Sequence, residues 1–143
     1  MKLLIAALLL ASAPFAANAA ETFTFNSTVK AIDGVRVPAT GPQFGGGRVF
    51  SIATDTTYAD SHKDATSGKC ASWTNPPGSQ FPQSGVCTYG DYTVQFSCAA
   101  PTDASGEANC WGLLEGAGGR FKGKSGVISY RSAQTVHGTG QWN

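Results

Sequence analysis

Hydrophobic and polar positions along this chain alternate with a period of two over several short stretches. In residues 22–32 (TFTFNSTVKAI), Phe23, Phe25, Ser27, Val29 and Ala31 fall on one side, and Thr22, Thr24, Asn26, Thr28 and Lys30 on the other. That spacing, carried by Phe, Thr and Val, predicts a half-buried strand. Asp33-Gly34 marks a turn, and the prolines and glycines of residues 38–47 mark a loop. Residues 48–57 predict a second strand. Residues 59–67 are polar and predict at most a short helical turn, and residues 72–85, with three prolines, predict a long loop.

Residues 89–98 predict a third strand, with Tyr92, Val94, Phe96 and Cys98 on its apolar face. After a turn-rich loop, residues 109–115 (NCWGLLE) predict a fourth. Gly116, Gly118 and Gly119 predict a bend, residues 126–131 a fifth strand, and residues 139–142 a short closing strand. No stretch carries the 3.6-residue period of a long helix. Six or more short antiparallel strands in one domain make a sandwich or a closed barrel. Glycines inside the strand signals favour the barrel, where tight coiling needs places to turn, and Trp142 predicts that the last strand is paired.

The N-terminus changes the picture by placing the chain. Lys2, an apolar run over residues 3–13 and Ala17-Asn18-Ala19 have the form of a cleaved secretory signal. The expected mature domain is residues 20–143, or 143 − 19 = 124 residues, enough for one core. The run is too short to cross a bilayer, so no membrane insertion is expected after cleavage, and the expected location is periplasmic or secreted. The formal net charge is +1 and falls to zero without Lys2, with no basic stripe, which argues against nucleic acid as a partner. Cys70, Cys87, Cys98 and Cys110 predict two disulfides in an oxidising compartment. Three pairings are open. Closure of the two intervening loops favours Cys70–Cys87 and Cys98–Cys110. The cysteine spacings do not fit a metal site, and no cofactor is expected.

The C-terminal third carries Cys110-Trp111-Gly112, then residues 115–126 (EGAGGRFKGKSG), then Gly138-Thr139-Gly140-Gln141-Trp142. This G-x-G-G-R-F-x-G-x-x-G run with its G-x-G-x-W ending resembles the bacterial proteins with the allene oxide cyclase-like barrel, which dirigent proteins share. The resemblance covers residues 89–142 and implies an all-β, eight-stranded antiparallel barrel. It also implies a ligand site in the barrel mouth or interior: cyclases of this kind steer an unsaturated fatty-acid epoxide in an apolar cavity, and dirigent proteins orient phenoxy radicals.

The chemistry-bearing positions are few. Glu115 shares a strand face with Trp111 and Leu113; on an enclosed face its carboxyl would be raised in pKa, as an acid/base requires, and at a solvated strand end it would be an ordinary surface carboxylate. Tyr92, Tyr130 and Trp111 are candidate ligand-contacting aromatics, while His137 before the closing glycines and Asn26 on the first strand are candidate polar groups at the mouth. The expected function is an exported barrel that binds or steers a small hydrophobic or aromatic molecule, with cyclase or isomerase chemistry as its catalytic form. A protein-binding module (a hydrolase inhibitor, contacting its target through residues 72–85) and a non-catalytic envelope protein are the alternatives. Homo-oligomers are compatible with the resemblance.

Overall fold

The structure is a computed structural model and describes residues 20–36, 46–133 and 135–143. The expected signal segment and most of the first glycine-proline loop lie outside those residues. Eight antiparallel strands run in chain order around a closed barrel: β1 (Glu21–Arg36), β2 (Gly47–Tyr58), β3 (Lys63–Thr74), β4 (Gln83–Thr88), β5 (Tyr92–Cys98), β6 (Ala108–Gly116), β7 (Ser125–Ser132) and β8 (Thr135–Trp142). The seam is β1 against β8, in register from Glu21↔Trp142 to Thr28↔Thr135. Pairing every edge in this way removes the exposed ladder groups that an open sheet leaves for aggregation.

Two strands lie where the sequence pattern predicts a helical turn and a loop. β3 covers most of the polar run and β4 the end of the proline-rich stretch. Their inward positions are Gly68, Cys70 and Ser72 on β3 and Gly85 and Cys87 on β4. These small side chains give no apolar alternation to detect. They are small because the aromatic rings of Tyr89, in the β4–β5 turn, and Phe96, on β5, occupy the space they leave: a Cβ on Gly68 would sit 2.8 Å from the Tyr89 ring, and one on Gly85 2.4 Å from the Phe96 ring. The only helical element among the described residues is one 3-10 turn, Gly119–Phe121, in the predicted glycine bend.

The inward faces of β1, β2 and β5 supply the core, including Phe23, Phe25, Phe50, Ile52, Tyr58 and Val94. Each such side chain withdrawn from water stabilises the fold by about 2 kcal/mol. Both disulfides join in-register partners on adjacent strands, Cys70–Cys87 across β3/β4 and Cys98–Cys110 across β5/β6, and all four cysteines point inward. One end of the barrel is sealed. The 3-10 turn tucks Phe121 under the barrel, stacked on Trp142 at 4.6 Å and set edge-on to Tyr92 at 5.2 Å. Arg120 caps this floor, 4.2 Å above the Tyr58 ring and paired with Glu21 and Asp64.

Candidate functional site

The opposite end leads into an interior cavity of about 100 Å³. Its walls are the inward side chains of the strands, among them Phe25, Val29, Phe50, Ile52, Phe96, Tyr130 and Val136, and its rim carries Arg48, Gln83 and Ser132. The β3–β4 and β5–β6 connections lie at this end. Arg48 lies over Phe50, 5.0 Å from its ring centroid.

The polar groups of the interior are hydroxyls. Ser27 Oγ and Thr54 Oγ1 share a hydrogen bond of 2.8 Å, and Thr54 Oγ1 shares a second, of 3.2 Å, with the Tyr89 hydroxyl. Nearer the rim, the Tyr130 hydroxyl has only the Cys98 sulfur within reach among the described residues, at 3.9 Å. A sulfur is a weak acceptor, so this hydroxyl keeps donor capacity for an incoming group. Burial pushes the Tyr89, Tyr92 and Tyr130 hydroxyls above their ordinary pKa, so all three stay protonated at neutral pH. No carboxylate or imidazole lines this cavity among the described residues.

The predicted site residues divide between the two sides of the wall. Tyr92 and Tyr130 are inside, Tyr92 in the aromatic floor and Tyr130 on the cavity wall beside Phe25 and Phe96. Glu115, Trp111, Asn26 and His137 are outside. The face that Glu115 shares with Trp111 and Leu113 is the water-facing one, Trp111 being 48% and Leu113 62% exposed, while Cys110, Gly112 and Leu114 fill the interior. Of the two environments open to Glu115, the solvated one is where it lies. The reason lies in the cystine: Cys98 belongs to the inward row of β5, so its partner Cys110 must point inward, and alternation sends Trp111 and Glu115 out. Asn26 and His137 are in-register neighbours across the seam, again on the outer face, and do not reach the interior.

The sequence reading missed the hydroxyl chain of Ser27, Thr54 and Tyr89. Its visible signal was Ser27, a polar residue standing within the apolar row Phe23, Phe25, Val29. Comparison with known proteins adds no relative: no protein-family model matches the chain, and neither a curated protein nor a solved structure matches it.

Proposed function

We propose that the barrel interior binds or steers a small hydrophobic or aromatic molecule, entered through the end bordered by Arg48, Gln83 and Ser132. The observation that carries this is the apolar cavity with its underused Tyr130 hydroxyl. An apolar cavity of about 150 Å³ stays dry and takes up benzene. At about 100 Å³ this one admits part of a ring or a short branch, with the rest of the ligand held at the rim. A long acyl chain would not be enclosed. Among the described residues the interior supplies hydroxyl donors and no acid/base pair, which favours binding or steering over proton-transfer catalysis. The two disulfides are compatible with an extracytoplasmic location, and no helix among the described residues is long and apolar enough to cross a membrane.

The test is a titration with p-cresol and with toluene, followed by methyl NMR of Val29, Ile52 and Val136. Shifts confined to these interior methyls are expected, with p-cresol bound more tightly than toluene. Tyr130→Phe should remove that preference, worth about fivefold for one net hydrogen bond. Unperturbed interior methyls at saturating probe would overturn the proposal.

A further inference from the structure

The outer wall carries a second surface, independent of the interior. Strand register lines up one row of outward side chains across the barrel: Trp73 on β3, Ser84, Ser97, Trp111, Ser129 and Thr139 on β8, each paired in register with the next. The neighbouring row contributes Gln95, Leu113, Val127 and Gln141. Both rows line an open groove of about 1170 Å³, whose lining among the described residues includes no charged side chain. Trp73 and Trp111 are 42% and 48% exposed, which is unusual for the two largest side chains on the wall of a small barrel.

The row is ordered. The strands that carry the two indoles, β3 and β6, are three spacings apart along the wall, about 14 Å between their backbones. Between them Ser84 and Ser97 share a hydrogen bond of 3.0 Å, and Asn75 donates to Ser84 from the β3–β4 loop at 2.7 Å. The same loop brings Phe81 edge-on to Trp111, ring centroids 5.8 Å apart, forming one side of the groove. Exposed aromatic platforms are thus separated by neutral hydroxyls and flanked by amides.

We infer that this groove binds an extended neutral glycan, its sugar rings stacked on Trp73 and Trp111 and its hydroxyls bonded to the Ser and Gln side chains between and beside them. The chemistry matches on three counts. A sugar ring presents an apolar C–H face to an aromatic ring and hydroxyls at its rim. Ser and Gln side chains both donate and accept, as sugar hydroxyls require. Among the described residues the lining has no charge to attract a charged polymer or to desolvate at a cost. A spacing of about 14 Å leaves room for more than one sugar ring between the platforms, so a chain is favoured over a monosaccharide.

The experiment titrates the full protein with cellohexaose, xylohexaose and chitohexaose, following tryptophan fluorescence, with sedimentation velocity on the same samples. Trp142 is buried in the floor, so the signal from solvent-exposed indole belongs to Trp73 and Trp111. At least one hexasaccharide should shift the emission to the blue. Trp73→Ala and Trp111→Ala should each weaken binding about tenfold or more, the equivalent of 1.4 kcal/mol, while Trp111→Tyr keeps most of it. Unchanged near-ultraviolet circular dichroism would show that the alanine variants fold. Tyr130→Phe, which alters only the interior, should bind the glycan as the wild type does, so failure here and failure of the interior proposal are separable. Three results would overturn the inference: no response to any of the three, equal binding by the Trp→Ala variants, or a dimer that Trp111→Ala dissociates, which would make a second copy the occupant.

Discussion

Removing the Cys98–Cys110 bond as Cys98→Ala/Cys110→Ala should lower stability by about 2.8 kcal/mol. The bond closes a segment with a sequence separation of 12, and the chain-entropy relation gives that figure for a loop of this length at 25 °C. Alanine is the right replacement because both positions are buried, and a serine hydroxyl would add its own desolvation cost. For a domain of just over 100 residues the loss corresponds to a fall in Tm of roughly 10 °C. The Cys70–Cys87 bond closes a separation of 17, and its removal should cost about 3.1 kcal/mol. The two variants should therefore differ by only about 0.3 kcal/mol, the logarithmic dependence on loop length. The assay is thermal and urea unfolding of wild type and both double variants at pH 7 without reductant, followed by circular dichroism. A Tm fall below about 3 °C in either variant would refute the entropic account, as would a gap between the two above about 1 kcal/mol.

Other perturbations address the floor and the rim. A Cβ at Gly116 would lie 1.7 Å from the Phe121 carbonyl oxygen, whereas one at Gly90 would meet nothing within 4 Å. Gly116→Ala should cost more than about 3 kcal/mol or prevent folding, and Gly90→Ala should stay within about 1 kcal/mol of wild type, both read from urea unfolding. Hydrogen bonds from the Ser105 hydroxyl and from Arg131 hold the Asp103 carboxyl at about 2, against an ordinary 3.8. A lowered carboxyl pKa stabilises the fold above the unfolded value, and that contribution disappears as pH falls from about 4 to about 2. Carbon-detected NMR of Asp103 should show a midpoint near 2 that rises in Arg131→Gln; a midpoint at the ordinary value in wild type would refute the contact.

The strands with bulky inward residues were legible in the sequence, and those with small ones were not. β1 announces itself through Phe23, Phe25 and Val29, and β5 through Tyr92, Val94 and Phe96. β3 and β4 turn glycine, serine and cysteine inward, because their share of the interior is filled by Tyr89 and Phe96 from elsewhere in the chain. No local pattern can report a cavity that a distant residue fills. The candidate site shows a different gap. Alternation correctly grouped Glu115 with Trp111 and Leu113, but alternation gives two faces without saying which is inside. The information was present one step away, since a Cys98–Cys110 bond fixes the inward side of both β5 and β6 at once. The hydroxyl chain of Ser27, Thr54 and Tyr89 joins β1, β2 and the β4–β5 turn and could not be assembled before the barrel's register was known.

The placement of the two cystines also bears on the order in which the chain can assemble. Each lies within one hairpin, β3–β4 or β5–β6, and each hairpin can align its own cysteines with no help from the rest of the sheet. The seam is the opposite case: Glu21 must find Trp142, 142 − 21 = 121 positions away, before β1 and β8 can pair. Local pairings form in microseconds, while distant ones wait on the entropy of closing the intervening chain. Covalent closure of the middle hairpins ahead of the seam leaves two oxidised staves in place and shortens the search for the last pairing. Barrel closure is then the late step, and a chain cut before β8 would hold both cystines and still lack a closed wall.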